Sequence, residues 1–141
     1  MQQFIEFVAR HWILSLTFVV LLGLLVGGEI RRRRYGIPQI GPLAATQAIN
    51  HEDALVLDTR EDSEYARGHL PHALHLPLGK LPERLSELEK YRDRPIIVYC
   101  RSGNRSMSAA QQLAKAGFGK VYNLQGGIMA WESANLPVTR K

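Results

Sequence analysis

Cys100 is the only cysteine in the chain, and it stands between an apolar run, Ile96-Ile-Val-Tyr99, and the polar stretch Arg101-Ser-Gly-Asn-Arg-Ser106. A cysteine at the carboxyl end of a buried strand, followed by a tight loop that feeds a helix, faces converging backbone N–H groups and the positive end of the helix dipole. Such a place holds an anion. A free thiol is only a few per cent thiolate at neutral pH, and Arg101, Arg105 and the helix terminus are expected to lower its pKa until the nucleophile is largely ionised. Gly103 permits the turn that a cradle needs. Asn104 tolerates left-handed conformations, so the loop can aim several amides at one centre. The chemistry this predicts is nucleophilic attack by sulfur, with Arg101, Ser102, Gly103, Asn104 and Arg105 holding an anionic substrate.

Other residues with chemical potential read as support. Asp58 and Arg60 stand just after an apolar run and are expected to pair and brace the loop region, with Glu64 as a further partner for Arg60. His69, His72 and His75 are spaced by three, but Pro71 prevents a regular helix through them and no clear acidic ligand accompanies them, so no metal site is expected. Gly126-Gly127 lacks the flanking residues of a phosphate loop and reads as a turn before a short helix that buries Trp131. One cysteine also precludes an internal disulfide or a Cys-x-x-Cys pair, which suits a reducing compartment.

Strands and helices that alternate must position these residues. A helical pattern at Leu43 to Ile49 is followed by the run Ala54 to Leu57, a short acidic helix near Ser63 to Arg67, and an extended stretch at Ala73 to Leu76. A charged amphipathic helix around Leu81 to Leu88 precedes Ile96 to Tyr99, the strongest strand signal. After the Cys100 loop, Ala110, Leu113, Ala114 and Gly117 keep helical spacing, with Gly117 as the stop. A last strand, Val121 to Asn123, leads to Gly126-Gly127. The pattern argues an α/β sandwich around a mostly parallel sheet.

The N-terminal third is of another kind. Residues 12–28 run from Trp12 to Gly28 without a charge, which as a helix measures roughly 26 Å, the short end of a membrane span. Arg31 can snorkel and Trp12 can sit at the interface. A cleaved secretory signal needs a basic start and a small-residue cleavage site, whereas here Met1-Gln2-Gln3 begins the chain and Arg31-Arg-Arg-Arg34 follows the apolar stretch. Those four arginines outweigh Arg10 on the other flank. The positive-inside rule then holds the C-terminal side in the cytoplasm, which predicts a single-pass inner-membrane protein. Residues 1–34 form the anchor, 35–42 a linker whose prolines and glycines deny helix and ladder hydrogen bonding, and 43–141 the folded domain. The net charge of +5 divides accordingly: five Arg against two acids precede residue 35, and the body carries thirteen Lys and Arg against eleven acids. No basic patch with interleaved aromatics remains, so nucleic acid is not an expected partner.

Asp58-Thr-Arg60, Glu64-Tyr65, Gly68-His-Leu-Pro-His-Ala73, the Cys100 to Arg105 loop, Gly117-Phe118 and Leu124-Gln-Gly126-Gly127 with Trp131 occur in an order that resembles the rhodanese family over most of residues 40–138. The resemblance implies a rhodanese-like three-layer α/β sandwich and a Cys100 persulfide held by the backbone amides of Arg101 to Arg105, with no cofactor. It also implies a small sulfur-containing anion or persulfide as donor and a thiol or protein as acceptor. His72 departs from the family, which usually has Gly after the Pro-containing turn. Two other functions remain open at this point: a Cys-dependent phosphatase or arsenate reductase, and a membrane-bound module that keeps the fold without turnover. Phosphatases of this kind generally close their loop with Arg six positions after Cys; here that position is Ser106, and the arginine comes one residue earlier.

Overall fold

Alternate residues of the apolar strands point to opposite faces, and both faces are buried, which explains why the strands read as unbroken apolar runs. The computed structural model describes the backbone of residues 1–141 and every side chain outside 32–35. It divides into two units, Met1–Gly36 and Ile37–Lys141.

In the second unit five strands form one sheet: β1 (Gln39–Ile40), β2 (Leu55–Asp58), β3 (Leu74–His75), β4 (Ile96–Tyr99) and β5 (Val121–Leu124), in the order β1-β5-β4-β2-β3. All four strand pairs are parallel. Leu55, Leu57, Ile96, Val98 and Val121 enter one core with Leu81, Leu88, Leu113 and Phe118, while Val56, Ile97, Tyr99 and Leu124 enter the other with Ala45, Ile128 and Trp131. Helices cover both faces: α3 (Pro42–His51), α4 (Asp62–Arg67), α5 (Leu81–Arg84), α6 (Asn104–Lys115) and α7 (Gly127–Ser133). The three-layer α/β sandwich expected from the sequence is therefore present. From β2 the chain steps outward to β3, then returns to β4 on the other side of β2 and continues outward to β5. The reversal lies between β2 and β4, and the carboxyl ends of parallel strands at such a reversal leave a crevice suited to a ligand.

Local differences from the sequence reading have local causes. The prolines and glycines of 35–42 predict no ladder hydrogen bonding, yet Gln39–Ile40 pairs with Asn123 and Leu124. At a sheet edge only one side of a strand must bond, and here the carbonyls of Pro38 and Ile40 accept from the N–H groups of Asn123 and Gln125 at 3.0 and 2.8 Å. Proline is tolerated in that setting because the missing donor is not needed. The expected helix at Leu81 to Leu88 is one α turn flanked by 3₁₀ segments, Leu78–Lys80 and Leu85–Tyr91. Side chains at i and i+3 eclipse in a 3₁₀ helix, and the Arg84–Glu87 and Glu89–Arg92 ion pairs exploit that spacing. Gly117 does end α6: its φ is +98°, and the N–H groups of Gly117 and Phe118 return to the carbonyls of Ala114 and Leu113, the Schellman arrangement.

His72 adopts φ +61°, so the turn keeps the left-handed conformation that the family's glycine would take without strain. A left-handed L-residue costs about 1–2 kcal/mol, partly offset because glycine loses more freedom on folding. His72→Gly is expected to raise stability by up to about 1 kcal/mol, read as a higher urea midpoint with an unchanged slope. A lower midpoint would mean that the imidazole itself holds the turn.

The first unit consists of α1 (Gln2–Arg10) and α2 (Trp12–Tyr35). Trp12–Arg31 is 20 residues with mean hydropathy 2.3 and no buried part, long and apolar enough to cross a membrane. Of the Arg31 to Arg34 run, the side chains of Arg32, Arg33 and Arg34 lie outside the described residues.

Candidate active site

Strand β4 leads directly into Cys100 beside the β2–β4 reversal, with that cysteine 1% exposed, and the loop after it curls back over the sulfur. Gly103 takes φ +106° and donates its N–H to Sγ at 3.0 Å. Ser106 Oγ lies 3.4 Å from Sγ and 2.6 Å from Asn123 Oδ1. One hydroxyl carries one proton. The thiol can therefore donate to Ser106 Oγ while that hydroxyl donates to Asn123, and the thiolate can accept from Ser106 once the hydroxyl turns. Asn123 Nδ2 donates to the Gly103 carbonyl at 3.1 Å, which ties the loop to β5.

The thiol pKa lies below its ordinary value. Burial works against the thiolate, but hydrogen bonds from the Ser106 hydroxyl and from the backbone N–H groups of Ser106, Gly103 and Ser102 outweigh it. The expected amides of the loop and helix terminus thus do most of the lowering, and Arg105 adds a favourable charge interaction with Cys100. Arg101 is exposed, and Arg105 makes a two-pronged pair with Glu64 at 2.7 and 2.9 Å. The expected Glu64–Arg60 pairing is corrected by the same observation. Asn104 likewise does not use its tolerance for left-handed backbone, because the turn is completed at Gly103 and Asn104 opens α6 as an ordinary helical residue.

Asp58 and Arg60 do pair, both almost wholly buried, at 2.8 Å. Asp58 also accepts from the Tyr99 hydroxyl at 2.6 Å, and Arg60 donates to the Gly68 carbonyl at 2.7 Å. Because Asp58 and Tyr99 are register partners, the network clamps the ends of β2 and β4 one residue before Cys100. Burial, with the Asp58 charge beside it, pushes the Tyr99 phenol far above its ordinary value, so it stays a donor.

Three contributors escape the sequence reading. Ser106 enters it only as a position in a count. Asn123 carries a signal, since a polar residue inside an apolar strand is buried here and must be bonded. Gly127 reads as a turn, but its φ is +59° and a Cβ there would overlap the carbonyl oxygens of Cys100 and Arg101. The N–H groups of Ile128 and Met129 donate to those same two carbonyls at 2.9 and 3.2 Å. Thus α7 holds the loop from behind.

His69 and His75 flank Tyr65 instead of a metal, with ring centroids 3.8 and 4.3 Å apart and nearly parallel planes. Among the described residues no group of three or more His, Cys, Asp or Glu is placed to hold a metal ion.

The Rhodanese-like domain family matches residues 42–134. This chain belongs to the rhodanese family. It is 36% identical over 141 residues to the uncharacterized protein YibN of Escherichia coli K12, covering 99% of each chain. It is 37% identical over 95 residues to GlpE of Coxiella burnetii, named a thiosulfate sulfurtransferase, covering 67% of this chain and 87% of that one. A rhodanese-related protein from Thermoplasma volcanium has a similar solved structure, with TM-score 0.65 and 31% identity over 74% of this chain and 99% of that one. Rhodanese membership gives the chain a sulfurtransferase-like character, and the fold sets Cys100 in the loop between a central parallel strand and a helix.

The Glu64–Arg105 pair makes acid stability measurable at this site. Arg105 donates both prongs to Glu64 and lowers its carboxyl from an ordinary 4.5 to about 2. A depressed carboxylate contributes stability that is complete above its unfolded pKa and is lost as pH falls through the folded one. The contribution should fade between about pH 4.5 and about 2. Glu64→Gln is expected to flatten the fall of stability in that window, the pair being worth at most about 1 kcal/mol at its partial exposure. Identical acid curves for the two proteins would remove the pair from the stability of the loop.

Proposed function

We propose that the chain is a membrane-anchored sulfurtransferase, with Cys100 as nucleophile and residues 12–28 within the membrane, its catalytic domain facing the cytoplasm at the inner membrane. The observation that carries the chemistry is the pair of donors aimed at one sulfur atom, the Gly103 N–H and the Ser106 hydroxyl, with the amides of Ser102 and Ser106 also favouring the thiolate. In the first half-reaction the Cys100 thiolate attacks the outer sulfur of thiosulfate. The new S–S bond forms as the sulfur–sulfur bond of thiosulfate breaks, and sulfite leaves with the electron pair. These donors then hold the negative outer sulfur of the Cys100 persulfide, with the exposed Arg101 available to draw the anion in. In the second half-reaction a thiolate acceptor attacks that outer sulfur and carries it off, restoring the Cys100 thiolate. No second cysteine exists to resolve the persulfide within the chain, so the acceptor is external.

The loop supports sulfur over phosphate. The sixth residue after the nucleophile faces the sulfur, and it is Ser106. The arginine one place earlier is turned away to Glu64. A phosphoryl group would find no bidentate cation at the position where charge must be met, and misplacement of about 1 Å costs on the order of a hundredfold in rate.

The full chain in detergent, incubated with thiosulfate and weighed intact, is expected to gain about 32 Da, one sulfur atom, lost again on cyanide or dithiothreitol treatment. It should leave aryl phosphates untouched. Phosphate hydrolysis without sulfur uptake would transfer the assignment to the phosphatase reading. Neither activity would leave the fold as a non-catalytic module.

A further inference from the structure

Helix α1 precedes the apolar helix as an element that the sequence reading does not separate from it. Taken at about 100° per residue, Gln2, Gln3, Glu6 and Arg10 fall within one arc of about 100°, and Phe4, Ile5, Phe7, Val8 and Ala9 fill the rest. The apolar side is uncovered within the chain: Phe4, Ile5 and Phe7 are 72%, 62% and 60% exposed, and α1 buries no residue at all. A nine-residue helix without a packed face is marginal in water. At His11 the backbone leaves helical geometry, with φ −121° and ψ 40°. The His11 N–H still closes α1 on the Phe7 carbonyl at 3.0 Å, and its carbonyl accepts from Ser15 to start α2. Only this one residue separates α1 from Trp12, where the apolar helix begins.

We infer that α1 is an interfacial helix, lying in the membrane plane with Phe4, Ile5, Phe7 and Val8 in the acyl boundary and Gln3, Glu6 and Arg10 toward water. The inference rests on the reading of α2 as a membrane span, because a spanning α2 delivers residue 11 to the headgroup layer and leaves α1 no place remote from lipid. Its polar face carries one acid and one base, so the attraction is apolar burial and not charge on anionic lipid. The break at His11 lets the helix axis turn from the membrane normal into its plane. Such a helix resists the piston motion of a short span and fixes its depth at the outer leaflet.

Single cysteines for spin labels are placed in the full-length Cys100→Ser chain at 3, 4, 6, 7, 8 and 10, with Val20→Cys reporting on the span. The chains are reconstituted in phosphatidylethanolamine and phosphatidylglycerol vesicles. Depth is read from collision with molecular oxygen against a water-soluble nickel chelate. Labels at 4, 7 and 8 should sit about 5–10 Å below the headgroups and those at 3, 6 and 10 in water. The pattern should persist in high salt and in vesicles of phosphatidylcholine alone. Phe4→Ser with Phe7→Ser should raise the label at 8 toward water while the label at 20 stays at the midplane. Uniform water access along α1, depth that rises steadily toward residue 12, loss of depth in salt, or protection accompanied by label–label broadening between copies would each overturn the inference. A water-accessible label at 20 would instead defeat the membrane-span reading beneath it.

Discussion

Cys100→Ser is expected to abolish sulfur loading and to lower thiosulfate-to-acceptor turnover by at least about a thousandfold, with little change in unfolding midpoint. Serine fills the same space, and it can accept from the Gly103 N–H and exchange hydrogen bonds with Ser106 at the positions where Sγ does so now. What disappears is the polarisable sulfur nucleophile: the surrounding donors lower the thiol pKa, whereas an alcohol starts far too high for the same donors to ionise it. A persulfide also needs a sulfur to build on, so the substituted hydroxyl offers no slow alternative route. Two measurements decide the matter, the intact mass after thiosulfate and the steady-state rate with a thiol acceptor. Turnover retained within tenfold would remove Cys100 from the mechanism. Ser106→Ala offers the graded comparison, since it removes one donor and leaves the amides; a fall in sulfur loading rate with a higher thiol pKa would show that the hydroxyl acts on the thiolate.

The sheet and its helices are legible in the sequence because burial on both faces writes itself as unbroken apolar runs at 54–57 and 96–99, and because Gly117 marks a helix end. The short edge strand at Gln39–Ile40 is not, since two residues have no period and the neighbouring prolines point away from strand. The strand-end Cys100 and the pairing of Asp58 with Arg60 are readable from type and position. Which cation meets which acid is not: Glu64 lies four residues from Arg60 and 41 from Arg105, and only the fold, which brings the first turn of α6 beside α4, makes the distant arginine the nearer one. That amides lower the thiol pKa is legible from the order of strand, loop and helix, but which of them reach the sulfur is not. Charges are visible in a sequence, while backbone N–H groups are carried by nearly every residue and act only where the φ of Gly103 turns them inward. The same holds for α7, whose amides reach the Cys100 and Arg101 carbonyls because Gly126 and Gly127 both take positive φ.

Asp58→Ala is expected to cost about 3–5 kcal/mol, the largest loss of stability available from a single side chain near the site. Asp58 is fully buried and gathers four donors: the Arg60 backbone N–H at 2.9 Å, Arg60 Nε and Nη2, and the Tyr99 hydroxyl at 2.6 Å. Truncation leaves the Arg60 side chain, 7% exposed, with the neutral Gly68 carbonyl as acceptor in place of an anion, and leaves a buried phenol without the acceptor that fixed it. An uncompensated buried charge is far more costly than the intact pair is favourable, because desolvation is no longer offset. Against a total of about 5–15 kcal/mol, a loss of this size removes from about a fifth to all of the stability, and sulfur loading falls to the extent that the folded fraction does. Tyr99→Phe removes no charge but two hydrogen bonds, the one donated to Asp58 and the one accepted from the Leu70 N–H at 3.1 Å, so about 1–3 kcal/mol is expected from it. The decisive comparison is Asp58→Ala with Arg60→Met. Removing both charges should recover part of the loss, since the methionine stem fills the space without needing an ion, and the coupling appears as a double-mutant cycle in chemical denaturation. If the double variant is as unstable as the sum of the two single variants, the cost lies in packing at the end of β2, and the charge argument fails.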